Sequence, residues 1–179
     1  MSEIKQLASK VVYQNKWMRV REDRIRRANA GNGIYSVVEK ADFVVILAVE
    51  NDDIHLVEQY RYPVKKRYWE LPQGSWELEQ ESDHLQVAKG ELQEETGLIA
   101  QNMLYVGFQY LAYGYSDQGY HIYLATELEH GSQNLDLEEE GLISKRVKIS
   151  EFEQMICSGE IKDATTLCAY SLTKMKGFL

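Results

Sequence analysis

The chain has 179 residues, which suits one domain with a sizeable core, and its 44% apolar and 27% charged residues are ordinary for a globular protein. The net charge of −8 and the pI of about 5.1 argue against a nucleic-acid partner, because binding a polyanion requires basic patches. A small phosphorylated substrate is compatible with this net charge, since a bound cation can reverse the sign of the local charge.

Compartment signals point to the cytoplasm. Residues 1–10 contain no apolar leader region, and no run approaches the length of a membrane span. The two cysteines, Cys157 and Cys168, lack metal-ligand spacing and are typical of buried free thiols in a reducing compartment. We therefore expect a cytoplasmic protein with no membrane partner.

The first predicted elements are β-strands. Residues 10–23 alternate apolar and polar side chains, as a half-buried strand does. A glycine-rich turn at residues 30–33 separates residues 21–27 from residues 34–40, which predicts a β-hairpin.

A second group of strands follows. Residues 43–49 form an apolar run rich in β-branched side chains, which indicates a strand buried on both faces. The turn at residues 51–53 returns the chain through residues 54–60. A short strand at residues 68–71 then ends at Pro72.

A helix is predicted next. It begins near Ser82 or Asp83, both of which are good N-cap residues, and Gly97 is well placed to end it. Its apolar stripe comprises Leu85, Ala88 and Leu92.

The last third alternates strands and helices. Strands are predicted at residues 105–111, 120–126 and 142–149. Ser150 is the expected cap of a helix over residues 151–157, and Asp163 the expected cap of a helix over residues 164–176. This order of elements indicates an α/β layer fold.

The predicted helix carries three glutamates on little more than one turn. At 100° per residue, Glu95 lies about 40° from Glu91, and Glu94 about 60° away on the other side. Three like charges on one face destabilise a helix unless a positive charge lies between them, and a hard divalent cation is the natural candidate. The alternative is a solvated acidic helix face.

The surrounding residues resemble the Nudix box, G-x(5)-E-x(7)-R-E-U-x-E-E-x-G-U, where U is aliphatic. The pattern is matched at Glu91, Leu92, Glu94, Glu95, Gly97 and Leu98. It departs at three places: the loop after Gly74 carries two extra residues, Ser82 replaces the first glutamate, and Gly90 replaces the arginine.

The resemblance extends to a particular branch of the superfamily. The motifs at residues 58–62, 70–74, 114–117 and 159–166 look like those of ADP-ribose and nucleoside-diphosphate-sugar pyrophosphatases. This implies the Nudix α/β/α sandwich with a mixed sheet, formed by residues 41–179. It also implies that an N-terminal β-hairpin extension, residues 1–40, packs on a second subunit in a homodimer.

The implied reaction is hydrolysis of the pyrophosphate bond of a nucleoside diphosphate sugar such as ADP-ribose, with Mg²⁺ or Mn²⁺. By the resemblance, Glu91 and Glu95 bind the metal, Glu94 binds it directly or through water, and the carbonyl of Gln73 is a further ligand. A general base is expected in the acidic run before the last sheet strand, where we favour Glu140 and then Glu139 over Glu138. The alternative is that this run is only a solvated turn.

Substrate contacts are expected from four residues. Arg61 suits a phosphate, although a structural ion pair with a nearby glutamate is an alternative. Glu70 and Ser116 lie in the branch motifs, and Tyr113 stands where ADP-ribose pyrophosphatases typically carry proline.

Two other functions stay open. A tyrosine at position 113 resembles the dinucleoside polyphosphate hydrolases more than the ADP-ribose pyrophosphatases, so hydrolysis of a dinucleoside polyphosphate is one alternative. The other alternative is a catalytically weak nucleotide-sugar sensor, because Ser82 and Gly90 replace the glutamate and the arginine of the box. Residues 65–67 are basic, which suits steering of an anion or simply solubility.

Overall fold

The computed structural model describes residues 3–75, 83–135 and 139–179, so that Ser82 and Glu138 lie outside the described residues. The chain divides into two compact units. The first comprises Met1–Asp42 and Gln109–Tyr120, and the second comprises Phe43–Phe108 and His121–Leu179.

The first unit contains a three-stranded antiparallel sheet of β1 (Ile4–Gln14), β2 (Arg19–Arg27) and β3 (Gly31–Glu39). The predicted hairpin is confirmed as the β2–β3 pair. The single strand predicted over residues 10–23 is wrong, because the chain turns between β1 and β2. Asn15 causes this turn: its side-chain oxygen accepts hydrogen bonds from the backbone N–H groups of Trp17 and Met18, both at 2.9 Å.

The large sheet has the strand order β10-β5-β4-β9-β8, with β6 paired to β5 and β7 paired to β4. Its strands are β4 (Phe43–Glu50), β5 (Asp53–Arg61), β6 (Lys66–Glu70), β7 (Gln73–Gly74), β8 (Leu98–Tyr110), β9 (Gly119–His130) and β10 (Ile143–Lys148). The fully buried strand predicted over residues 43–49 is confirmed, since Val44 to Val49 are all buried in β4.

In the described ranges, three α-helices accompany this sheet: α1 (His84–Thr96), α2 (Ile149–Ser158) and α3 (Ala164–Met175). Asp163 caps α3 as predicted, accepting a hydrogen bond from the Thr166 N–H at 2.7 Å. The predicted Ser150 cap is wrong, because α2 begins at Ile149, which places Ser150 inside the helix, and Lys148 precedes the helix without a side-chain cap. The predicted α/β layers with a mixed sheet are confirmed.

The cysteines are free thiols, but the prediction that both are buried is wrong, because Cys157 is exposed and Cys168 is only half-buried. Helix α2 buries Phe152 and Met155, which leaves Cys157 on its exposed side. Across the described ranges, no helix is long and apolar enough to cross a membrane.

Candidate active site

Helix α1 is oriented by its apolar side chains. Val87, Ala88 and Leu92 are buried in a cluster with residues of β4, including Val44 and Ile46. The predicted stripe is therefore confirmed, with Leu85 packed at the edge of the cluster. The helix runs from its N-cap Asp83 to Gly97, where φ is +73°.

The same orientation buries two glutamates of α1. Glu91 is 5% exposed and Glu95 is 0% exposed, whereas carboxylates of this kind normally reach water. Glu139, from the segment before β10, joins them. One carboxylate oxygen from each of the three residues lies within 4.8 Å of the other two.

Glu95 is the most deeply buried of the three. One oxygen, Oε2, accepts a hydrogen bond from the Gln73 N–H at 3.0 Å. The other, Oε1, is buried, and no group in the described part of the chain donates to it. Burial raises the pKa of Glu95 well above its ordinary value, and the neighbouring Glu91 and Glu139 carboxylates raise it further.

Strand β7 forms the wall beside these carboxylates. A Cβ at Gly74 would lie 2.3 Å from Oε2 of Glu91 and 2.5 Å from its carboxyl carbon, so only glycine leaves room for that side chain as it stands. Gln73 next to it holds Glu95 through its N–H and reaches Asp163 with its side-chain amide at 3.4 Å.

This arrangement fits a divalent cation. Three converging carboxylates repel one another, and a buried oxygen without a donor costs free energy. A hard cation with oxygen ligands resolves both problems at once. Glu91, Glu95 and Glu139 are therefore the residues that could hold a metal ion here.

The remaining acidic candidates lie differently. Glu94 is half-buried and outside this group of three, and its backbone carbonyl accepts a hydrogen bond from the Asn134 N–H at 3.1 Å. Glu140 is exposed, and it is Glu139 that the fold brings to Glu91 and Glu95.

Arg61 and Glu70 lie together. The Arg61 guanidinium makes two hydrogen bonds to the Glu70 carboxylate, one of them at 3.2 Å. Glu70 is 2% exposed, and burial raises its pKa while Arg61 opposes that rise. The arginine thus makes the ion pair that the sequence left as an alternative to a phosphate contact.

Tyr113 and Ser116 belong to the first unit. Tyr113 is 83% exposed. Ser116 is buried, and its hydroxyl donates to the Val38 carbonyl at 2.7 Å and accepts from the Gln118 N–H at 3.2 Å. Its hydroxyl therefore connects backbone segments within that unit.

Sequence reasoning missed two anchors of the β6–β7 segment. The Thr166 hydroxyl accepts a hydrogen bond from the Leu71 N–H at 2.9 Å, and Asp163 accepts one from the Gln73 side chain. Both anchors come from the start of α3, where the motif at residues 159–166 was the available signal. They hold the backbone whose Gln73 N–H meets Glu95.

Comparison with known families gives two matches. Residues 4–38 match the nucleoside diphosphate sugar hydrolase N-terminal domain, and residues 39–164 match the NUDIX domain. A solved structure titled as an ADP compounds hydrolase has the same fold, with a TM-score of 0.85 at 18% identity, covering 98% of this chain and 94% of that one.

Three relatives each match nearly the whole chain. An ADP-ribose pyrophosphatase of Mycobacterium tuberculosis is 31% identical over 90% of this chain and 78% of its own length. An ADP-ribose pyrophosphatase of Bacillus subtilis and a methanol dehydrogenase activator of Bacillus methanolicus are each 26% identical over 97% of this chain and 94% of their own lengths. The chain is therefore a member of the Nudix hydrolase family.

Proposed function

We propose that this chain is a cytoplasmic enzyme that uses Mg²⁺ or Mn²⁺ to hydrolyse the pyrophosphate bond of a nucleoside diphosphate sugar such as ADP-ribose. The products are a nucleoside monophosphate and a sugar phosphate. The observation that carries the proposal is the convergence of Glu91, Glu95 and Glu139, with a buried Glu95 oxygen that accepts no hydrogen bond from the described residues.

The site residues divide the work between them. Glu91 and Glu95 would hold the cation, and Glu94 would bind it directly or through a water molecule. The Gln73 carbonyl would be a further ligand of the cation. A bound cation neutralises the phosphoryl oxygens and makes a water molecule more acidic. The β7 wall keeps the Glu91 and Glu95 carboxylates in place for this task, which limits reorganisation during the reaction.

We assign the general base to Glu139 rather than to Glu140, because Glu139 lies with the cluster and Glu140 is exposed. The Glu139 carboxylate accepts a proton from the attacking water. The water oxygen then forms a bond to one phosphorus, and the bond from that phosphorus to the bridging oxygen breaks.

Four residues remain the candidates for contacts with the substrate. The exposed ring of Tyr113 suits stacking on a base or ribose. Arg61 and Glu70 form an ion pair beside the β6–β7 segment, and their charged groups would make polar contacts with the substrate. Ser116 would act by shaping the backbone that carries Tyr113.

The test is a substrate panel with Mg²⁺ and with Mn²⁺. It includes ADP-ribose, ADP-glucose, GDP-mannose, UDP-glucose, dinucleoside polyphosphates and NADH, with products identified by chromatography. We expect turnover of at least one nucleoside diphosphate sugar to a monophosphate. Tight binding without turnover would favour the sensor, and preferred cleavage of dinucleoside polyphosphates would favour that alternative.

Gly90 supplies a prediction about the atypical box. We expect Gly90→Arg to leave kcat equal or higher, because arginine is the better helix former by up to ~1 kcal/mol and can pair with the acidic cluster. Gly90→Ala is the matched control, since it improves the helix without adding charge. Loss of both activity and helix in Gly90→Arg would show that glycine is needed at this half-buried position for close packing.

We further propose that the chain is a homodimer formed through its first unit. The sheet of that unit and the turn between β1 and β2 expose several large apolar side chains, which are Ile4, Leu7, Val11, Val12, Tyr13, Trp17 and Ile34. A two-fold partner would cover such a surface with the same surface of its own.

Light scattering at micromolar concentration tests this. We expect twice the 20.7 kDa mass of the chain. Ile34→Glu, at a side chain that is 60% exposed, should shift the mass toward the monomer, because it places a charge on the apolar surface. Ile99→Glu, in the second unit and 40% exposed, is the control that should stay dimeric. A fully active monomer of the unmodified chain would contradict the proposal.

A further inference from the structure

Arg67 ties together three segments of the second unit. From β6, its Nε donates to the Glu58 carboxylate on β5 at 2.8 Å. One terminal nitrogen donates to the Glu58 carbonyl at 2.9 Å and to the Gly141 carbonyl at 2.6 Å. One guanidinium thus connects β5, β6 and the turn that precedes β10.

That turn begins at Glu139. The Glu139 carbonyl accepts a hydrogen bond from the Leu142 N–H at 2.9 Å, and Gly141 has a φ of +80°, which favours glycine. Leu142 is buried, and Ile143 then pairs with Glu58. The Gly141 carbonyl held by Arg67 is therefore part of the same short turn that carries Glu139.

The geometry requires a guanidinium. Its nitrogens are arranged in a planar fork that can reach a carboxylate and two carbonyls together, whereas a lysine ammonium is a single point charge. The pair with Glu58 alone does not explain the arrangement, because the Arg67 side chain is 38% exposed and exposed ion pairs contribute little. The bonds to two backbone carbonyls tie the turn to the sheet.

We propose that Arg67 is a positioning residue that holds the turn of Glu139, and through it the Glu139 carboxylate, at the carboxylate cluster. This inference rests on the proposed metal centre. It assigns Arg67 a task different from the anion steering or solubility suggested by its basic neighbours in the sequence. Lys65 and Lys66, which are exposed, keep those roles.

The test combines Arg67→Met and Arg67→Lys with Glu139→Gln, measuring Mn²⁺ affinity by electron paramagnetic resonance and kcat with the best substrate of the panel. Glu139, the assigned base, lies with Glu91 and Glu95 and can also contribute an oxygen to the cation, and removing residues that orient such a group typically weakens metal binding or activity by roughly 10- to 100-fold. We expect Arg67→Met to lower the Mn²⁺ affinity or kcat by about 10-fold or more. Arg67→Lys should recover little, because it keeps the charge and loses the fork.

The double-mutant cycle separates positioning from general stability. If Arg67 acts through Glu139, Arg67→Met should have almost no further effect on Mn²⁺ affinity or kcat in the Glu139→Gln background. Arg146→Met is the matched control. Arg146 pairs with Glu50 and Asp53 in the same sheet, and its substitution should leave Mn²⁺ affinity unchanged.

Three outcomes would overturn the inference. An equal loss in both backgrounds would mean that Arg67 does not act through Glu139. Unchanged Mn²⁺ affinity and kcat in both folded Arg67 variants, with normal binding by the unmodified chain, would refute positioning while leaving the metal centre intact. Failure of the unmodified chain to bind Mn²⁺ would instead remove the metal centre and the inference with it.

Discussion

Replacing Glu95 with glutamine is expected to lower kcat at least ~100-fold while the protein stays folded. Glutamine keeps an oxygen that can accept the Gln73 N–H bond, so the local backbone contact survives. The variant loses one negative charge at the cluster, and removing one group that stabilises transition-state charge costs on the order of 3 kcal/mol. Steady-state kinetics at saturating Mg²⁺, with circular dichroism for folding, measure both effects.

The metal-free stability of this variant gives an independent readout. Glu95 is fully buried among like charges, so Glu95→Gln should have an equal or higher Tm than the unmodified chain in a chelator. A ligand that binds only the folded state raises Tm, and the rise caused by Mg²⁺ should shrink in the variant. Glu129→Gln, at an exposed glutamate, is the control that should change neither quantity. Near-normal kcat in Glu95→Gln would refute the assignment of Glu95 to the site.

Replacing Gly74 with alanine is expected to lower kcat roughly 100-fold, the effect of displacing a reacting group by about 1 Å. The added Cβ would lie 2.3 Å from Oε2 of Glu91, so the carboxylate must move. Glu91 is buried and one of three converging carboxylates, and any new position changes the cluster. Both kcat and the Mn²⁺ affinity should fall in this variant.

Gly33→Ala is the matched control for this effect. A Cβ at Gly33 would lie 2.6 Å from a terminal nitrogen of Arg27, which is also far shorter than a normal contact. The Arg27 side chain is only half-buried and can swing away, so kcat should be unchanged. If Gly74→Ala keeps full activity, the close approach of β7 to Glu91 is not needed for catalysis.

Local patterns predicted those elements whose signals lie within a few residues. The apolar run of β4, the stripe of α1 and the Asp163 cap of α3 depend on period, burial and side-chain hydrogen bonding. The strand predicted over residues 10–23 was wrong because the alternation continued across a turn that Asn15 makes with its own side chain. A polar residue in an alternating run can face solvent within a strand or form a turn, and the alternation alone does not distinguish the two.

The candidate site was predictable only in part. Helical spacing places Glu91 and Glu95 on one face, and both are buried in the cluster. Nothing local distinguishes Glu139 from Glu140, because the choice depends on how the turn before β10 is held. That turn is bound by Arg67, a residue distant in sequence, and such pairings follow from tertiary packing rather than periodicity.

The most direct test of the central claim is turnover of ADP-ribose by protein stripped of metal with a chelator and then titrated with Mg²⁺ or Mn²⁺. We expect no hydrolysis in chelator, and restored formation of AMP and ribose phosphate as the cation is added. Full turnover in chelator, or saturable ADP-ribose binding with no hydrolysis at any cation concentration, would contradict it.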